Sequence, residues 1–380
     1  MEIKIERTPE QVELVKAMAS KNREVAYEAQ AALGDFIGPV LAEVVNQAPT
    51  VSNLFTSLQF NSEDNASIPL DLYHDIGDED YVQIWSQNAP GGLPTNHVAP
   101  RQQEMKFTTY RLDSAVSFDK RFAARSRMDV VSKTFTRIAQ EILLKQEKTS
   151  ASMIMTAVAN AATNGKDHVM RGHTAGRFLL ADLNKLFTLA KRINTAWTGG
   201  TPADRKGRGI TDLIVSPEIV EEIRGMAYNP INTKSTGTAA DGIPGTDKLR
   251  DQVFSTAGIP EFYGVSIMEI NEMGVGQKWN ELFNLVSTTA DSGGDKDYGA
   301  YGDGTAGTVF DEANEQIMLG VDLSRESMLR AVATDSETGA EFDLVVDDQF
   351  VSRSQKIGYY GSLEEGRMIL DDRVLTGIIV

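Results

Sequence analysis

The residue pattern predicts an α+β fold, with helix and strand in separate stretches of chain. Three observations carry this. Between Asp129 and Thr163, the apolar residues Val131, Phe135, Ile138, Ile142, Met153, Val158 and Ala162 recur at mixed spacings of three and four with no Gly or Pro among them. That is the rhythm of one buried helix face. Lys106 to Phe118, KFTTYRLDSAVSF, alternates with period two and is rich in strand formers. From Ile317 to Val380 the pattern is mainly strand: IMLGVDL, MLRAVAT, FDLVV, VSRSQKIGYY and VLTGIIV. A doubly wound sheet would alternate strand and helix throughout.

The long helix has Asp129 as N-cap and Asn164-Gly165 as stop, because both tolerate left-handed backbone. About 33 residues at about 1.5 Å each make a rod of roughly 50 Å, well beyond the usual three or four turns. A rod of that length is a coiled-coil arm, a packed bundle helix or a spine on which smaller elements are laid. The turns between Gln140 and Ser152 are mostly polar, which breaks a heptad seam and favours the spine.

The remaining elements follow in order. Thr8-Pro9-Glu10-Gln11 starts a helix whose narrow stripe is Leu14, Ala17, Met18, Val25, Ala29 and Ala32. After a break at Gly34, Phe36, Ile37, Val40, Leu41, Val44 and Val45 form a second short helix. This arm is too narrow to bury much alone and is expected to pack on another part of the chain or on another subunit. Residues 48 to 118 form a two-stranded excursion, out through Ser67–Leu70 and back through Lys106–Phe118. The turn is rich in Pro and Gly at Ala89–Pro94. A lone ribbon is marginal in water and needs bracing; the alternative is part of an ordinary sheet. Leu179–Ala196 is an amphipathic helix, Ile210–Val215 a strand, Ser216-Pro217-Glu218 a capped helix start and Val265–Ile270 a strand. Gly-rich, polar stretches at 198–209, 229–246 and 291–307 read as surface loops.

The chain has 380 residues, 41% hydrophobic and 24% charged, an ordinary globular composition with room for two or three domains. With no cysteine it has no disulfide, thiolate nucleophile or sulfur-bound metal. A net charge of -17 and a pI near 4.8 oppose tight wrapping by nucleic acid, since phosphate contacts need Lys and Arg. No basic apolar leader and no run of about 18 apolar residues is present. The reading is a soluble protein of a cytosol-like compartment.

Motifs for chemistry fail their structural contexts. Gly302-Asp303-Gly304-Thr305-Ala306-Gly307 matches GxGxxG, but Asp295–Tyr301 before it is no strand and Asp303 would repel a pyrophosphate. It reads as a flexible loop. Asp291, Asp295, Asp297 and Asp303 lack the terminal acid of a calcium loop and read as solvated. His168 and His173 have no HExxH pairing and read as polar loop histidines, like His74 and His97. Arg205-Lys206-Gly207-Arg208 is the sharpest basic cluster and reads as a solvated loop more readily than as a phosphate contact. Asp347-Asp348 and Asp371-Asp372 flank β segments. Salt bridges to Arg353 and Arg373, across a sheet or subunit interface, are their expected use, ahead of a catalytic pair. No triad can be placed, and no catalytic residue, cofactor or metal is expected.

The order of elements resembles the tailed-phage major capsid protein of the Hong Kong 97-type fold over nearly the whole chain. Local resemblances agree. Asp212–Glu218 is similar to a strand-to-helix step of the axial domain. Gly258-Ile259-Pro260 through Val265–Met268 is similar to its later turn and strand, and Phe350–Arg353 through Gly366-Arg367 to the late β crossing. The resemblance implies an N-terminal arm at 1–50, an extended loop at 51–118, and the spine helix with the first part of the peripheral domain at 119–175. It implies an axial domain at 176–316 and a peripheral β region at 317–380 that returns toward the axial domain. It further implies a non-enzymatic shell subunit that forms hexamers and pentamers of an icosahedral head enclosing double-stranded DNA, in a virion assembled in host cytoplasm. Partners would be other copies, neighbouring capsomers and DNA held without sequence-specific contact, with portal, scaffolding, protease and decoration proteins as candidates and no membrane. Inter-subunit contacts are expected at Trp85, Leu93 and Arg101 of the extended loop. Some members cross-link through a lysine near the loop tip. Between Val51 and Phe118 the only lysine is Lys106, on the return leg, so no cross-link is expected. With about 50 residues ahead of the ribbon, scaffolding is expected as a separate protein. The alternatives are an encapsulin-type compartment shell and, from a different class, an acidic cytosolic α/β enzyme.

Overall fold

The computed structural model describes residues 8–47, 51–63, 67–69, 104–163, 166–198, 209–228, 261–262, 264–289, 296–305, 309–325, 327–335, 340–347 and 355–380. The chain is α+β and forms two compact units. Unit 1 contains residues 1–69, 104–150 and 328–368; unit 2 contains 70–103, 151–327 and 369–380.

In chain order, helices α1 (Pro9–Ala17) and α2 (Arg23–Gln47) precede strands β1 (Thr56–Asn61), β2 (Ser67–Pro69), β3 (Glu104–Lys106) and β4 (Thr109–Asp119). Helices α3 (Lys120–Ala124) and α4 (Met128–Asn160) follow, then β5 (Ala162–Thr163), β6 (Lys166–Asp167), β7 (Val169–Arg171) and α5 (Leu180–Thr198). The middle holds β8 (Asp212–Val215), α6 (Pro217–Tyr228), β9 (Glu261–Phe262), β10 (Val265–Glu269) and α7 (Lys278–Thr289). The last strands are β11 (Ile317–Val321), β12 (Met328–Thr334), β13 (Asp343–Asp347), β14 (Lys356–Ile369) and β15 (Leu375–Ile379).

Unit 1 is built on a five-stranded sheet, β1-β12-β14-β13, with β4 along the other edge of β14. β1 runs parallel to β12, while β4 and β13 run antiparallel to β14. Its core joins Leu33, Ile37 and Leu41 of α2, Phe135, Ile138 and Ile142 of α4, and Phe118, Ile357 and Tyr359 of the sheet. Tyr359 is the centre. Its ring meets Phe135 edge-on at 5.2 Å and stacks on Phe118 at 6.4 Å. Its hydroxyl donates to the Gln30 carbonyl at 3.3 Å, so the buried phenol is satisfied.

The N-terminal arm packs on this same unit, and the capping of α1 by Thr8 is as expected, with Thr8 Oγ1 accepting from Gln11 N. The expected break at Gly34 does not occur: α2 runs through Gly34 and Pro39. A Cβ on Gly34 would sit 3.2 Å from the Leu344 carbonyl, so this glycine is a close-approach site for β13 and no stop signal. The face buried is Ala26, Ala29, Leu33, Ile37 and Leu41; Val25, Ala32 and Phe36, read as part of the apolar stripe, are exposed.

The uninterrupted long helix is present as α4, 33 residues long. It contributes residues to both units. It ends three residues early: Ala162 lies on β5, exposed, and the buried residues of the last turns are Ile154, Met155, Val158 and Ala159. The return leg is likewise divided, because Phe107 turns inward between β3 and β4.

Unit 2 is built on a six-stranded mixed sheet, β7-β15-β11-β8-β10-β9. α5 and α6 cover it with Leu183, Leu186, Ala190, Ile219 and Ile223 against Leu213, Val215, Met318 and Ile378. Ser216 Oγ accepts from Ile219 N at 3.3 Å, the cap that Ser-Pro-Glu predicted. The 291–307 stretch differs from expectation. Its described part is anchored, with Tyr298 and Tyr301 buried, Gly302 N donating to Gly172 O and Asp303 N to His173 O.

Candidate functional site

β2 and β3 pair antiparallel, Ser67 with Lys106 and Pro69 with Glu104. The chain therefore leaves for residues 70–103 and returns at the same place. β1 before the ribbon and β4 after it are both ordered into the unit 1 sheet, which braces a two-stranded element that would be marginal alone. β1 is exposed on both faces along most of its length. Trp85, Leu93 and Arg101, with His74, His97 and the Ala89–Pro94 turn, lie outside the described residues. Lys106 is exposed at the ribbon's base.

Beside the return leg lies a buried polar cluster. The Glu365 carboxylate accepts from four donors: Tyr110 Oη at 2.8 Å and Arg367 Nη1 at 2.7 Å on one oxygen, Arg330 Nε and Gln146 Nε2, each at 2.9 Å, on the other. Arg367 Nη1 also donates to Tyr110 Oη and Nη2 to Ser52 Oγ, both at 2.7 Å. Burial, then the Glu365 charge, push the Tyr110 phenol up to about 12. The cluster joins the segment before β1 (Ser52), the return leg (Tyr110), α4 (Gln146), β12 (Arg330) and β14. It explains the polar middle of α4: Gln146 and Ser150 are buried, with Ser150 Oγ donating to Gln146 O at 2.7 Å. Those turns face polar partners, where the sequence reading saw only a lost seam. The signal available was an arginine inside the apolar run MLRAVAT and Glu365 with Arg367 on one strand face.

In unit 2, His168 is fully buried, contrary to the loop reading. Its Nδ1 lies 3.2 and 3.1 Å from the carbonyls of Asp372 and Leu375, and its Nε2 lies 2.7 Å from Thr163 Oγ1. The carbonyls fix Nδ1 as donor and leave Nε2 to accept. Burial lowers the His168 pKa and raises that of Asp372. His173 instead gives its backbone N–H to Asp182 Oδ1 at 2.7 Å. Arg373 pairs with Asp371 at 2.8 Å, as expected, but two residues away in one turn and not across a sheet. Asp348, Arg353, Arg205, Lys206, Arg208, Asp291 and Asp295 lie outside the described residues. Asp303 Oδ1 caps its own turn by accepting from Thr305 N at 2.9 Å. Gly302 packs against the His173 ring, where a Cβ would meet Nδ1 at 2.4 Å. The GxGxxG glycine is thus spent on a packed turn. A third cluster joins Arg171, Glu315 and Tyr301. Arg171 pairs with Glu315 and stands 5.0 Å over the Tyr301 ring, whose hydroxyl donates to Glu315 at 2.8 Å. Among the described residues no group of three His, Cys, Asp or Glu is placed to hold a metal. No described helix is long and apolar enough to cross a membrane.

No protein-family model and no curated protein matches the chain. Among solved structures it is similar to the capsid of cyanophage P-SCSP1u at 15% identity, over 87% of this chain and 88% of that one, with a TM-score of 0.47. It is similar to the capsid of an empty GTA particle at 11% identity, over 87% and 89%, with a TM-score of 0.49. It is also similar to the holo-SrpI encapsulin complex from Synechococcus elongatus PCC 7942 at 10% identity, over 86% and 85%, with a TM-score of 0.44.

Proposed function

We propose that the chain is a major capsid protein of the Hong Kong 97 type, self-assembling into hexamers and pentamers of an icosahedral phage head around double-stranded DNA. One observation carries the reading. A helical arm, a two-stranded ribbon whose strands flank residues 70–103 and a 33-residue helix follow each other along the chain, and the remaining strands are shared between two separate sheets whose strands interleave in sequence. A ribbon of this kind gains stability only where something covers it, and neighbouring copies would supply that cover. The role needs no catalysis or cofactor.

On this reading residues 1–50 are the arm, 51–118 the extended loop, 119–175 the spine and first peripheral part, 176–316 the axial domain, and 317–380 the returning β region. Trp85, Leu93 and Arg101 of the loop contact neighbouring capsomers. Portal, scaffolding, protease and decoration proteins are further partners, DNA is enclosed without sequence-specific contact, and assembly takes place in host cytoplasm.

The test is negative-stain electron microscopy of the purified full chain beside a variant lacking Asp78–Pro100. The full chain is expected as closed shells or rings of five and six, and the deletion as a soluble subunit that does not assemble. A full chain that stays monomeric or dimeric overturns the shell reading in favour of an enzyme. Shells that co-purify with a protein cargo and no DNA point to a compartment shell. Normal shells from the deletion remove the loop from assembly.

A further inference from the structure

Helix α2 is half used. Its inner face is buried in the unit 1 core, but Val25, Ala32, Phe36 and Val40 are exposed, Phe36 at 60%. Their spacings of seven, four and four place them within an arc of about 80° at roughly 100° per residue, along about 22 Å of helix. Exposed Glu24, Glu28 and Asp35 run along one side of this strip. It is an apolar stripe with an acidic margin.

The opposite chemistry lies on the same unit, around α3. Phe122 is 41% exposed. The turn after it, in which Ser126 has φ 52° and Arg127 N donates to Phe122 O at 3.0 Å, presents Arg125 and Arg127 to solvent. Lys120 Nζ donates to Ser20 O at 2.8 Å, which brings exposed Lys21 to this corner. Exposed Lys356 stands opposite Asp119 in the β4–β14 register. Arg121 is engaged with Asp119, the α3 cap, at 2.8 Å. A chain of net charge -17 thus gathers Lys21, Arg125, Arg127 and Lys356 around an exposed phenylalanine.

We infer that the α2 strip of one copy docks on the α3 corner of a second copy. The two surfaces are opposite in charge, and each offers an exposed aromatic anchor of the kind that dominates interface energies. A polyanion would satisfy the corner but leave the α2 strip uncovered, whereas a second copy covers both. Because the two patches differ, the contact is head-to-tail and generates rings where the rotation closes. This specifies an interface for the shell reading and rests on it.

The test uses two variants of the full chain, Glu28→Arg with Asp35→Arg, and Arg125→Glu with Arg127→Glu, each followed by sedimentation velocity and negative stain. Each alone juxtaposes like charges and is expected to need at least about tenfold more protein to assemble. Mixed in equal amounts they should co-assemble, since each reversed strip then meets a reversed corner; this rescue also shows that both variants are folded. Assembly of either variant at the wild-type concentration overturns the interface while leaving the shell reading intact. So does a mixture no better than its parts. Loss of binding to random-sequence duplex DNA in the arginine variant, with assembly unchanged, assigns the corner to nucleic acid and overturns the inference. A wild-type chain monomeric at every concentration overturns both readings.

Discussion

Glu365→Gln keeps the shape of the side chain and deletes the charge that Arg330 and Arg367 share. The wild-type carboxylate is fully buried and accepts four hydrogen bonds. A glutamine amide has only one oxygen, so at least one arginine faces an N–H group in place of an acceptor. A unit-charge pair at about 4 Å is worth about 4 kcal/mol at an effective dielectric of about 20, and breaking a buried pair by removing one partner costs about 3–5 kcal/mol. We expect that range for Glu365→Gln, measured as a shift of the urea midpoint at unchanged m, followed by circular dichroism. The Tyr110 phenol supplies a second readout. Burial is the larger cause of its rise to about 12 and the Glu365 charge the next, so it should titrate lower in the variant while remaining above the ordinary tyrosine value. A triple variant, Glu365→Leu with Arg330→Met and Arg367→Met, removes all three charges together and should recover much of the loss. A cost for Glu365→Gln under about 1 kcal/mol, the scale of a surface pair, would refute the view that this carboxylate holds the strands to the helix.

Four further outcomes are expected. The folded His168 pKa lies below its unfolded value near 6.5 because of burial, so the unfolded chain binds the extra proton. Its contribution is complete above about pH 6.5 and is lost as pH falls through the folded pKa; Asp372, raised by burial, acts with the opposite sign at lower pH. His168→Gln should flatten the upper part of that slope in a pH series of melting temperatures, and an unchanged slope would sink the assignment. Gly366→Ala puts a Cβ 2.8 Å from the Thr108 carbonyl, backbone that cannot rotate away, and should cost about 1–3 kcal/mol. Gly225→Ala, on α6 with nothing within 4 Å, should gain about 0.5–1 kcal/mol in the same denaturation assay. Assembled shells boiled in SDS should run as a single monomer band; a ladder would show a cross-link that Lys106 or another lysine must make.

Much of the fold is legible because it rests on local pattern. The 33-residue helix, the Ser216 cap and the late strands follow from spacing, caps and β-propensity alone. The failures share a cause: residues whose role is set by a distant partner. Gly34 reads as a stop until the Leu344 carbonyl arrives beside it from about 310 positions away, where an added Cβ would sit at a tight 3.2 Å. The polar turns holding Gln146 and Ser150 read only as a break in a heptad seam because Glu365 cannot be seen from α4. His168 reads as a loop histidine because the carbonyls that receive it belong to residues 372 and 375. Of the proposed assembly surfaces the sequence offers the ribbon but not the two faces of unit 1. Val25, Ala32, Phe36 and Val40 follow helical spacing as well as the buried residues do, and only the packing of α2 on β13 separates one face from the other.

The register of unit 1 also sets the order in which it can form. β4 pairs with β14 from Asp119–Lys356 to Thr109–Gly366, and β1 pairs with β12 from Thr56–Leu329 to Asn61–Thr334. At about 5–20 residues per second, a ribosome releases β1 and β4 roughly 12–55 seconds before their partners exist. In that interval their backbone edges stand open, a template for misplaced pairing between nascent chains. Unit 2 residues 151–327 emerge earlier as one continuous run, but β7 joins β11 only once β15 arrives between them at the end of the chain. Neither unit corresponds to a single contiguous stretch of gene, so a truncated message yields open strands and no partial subunit with a finished unit 1 sheet.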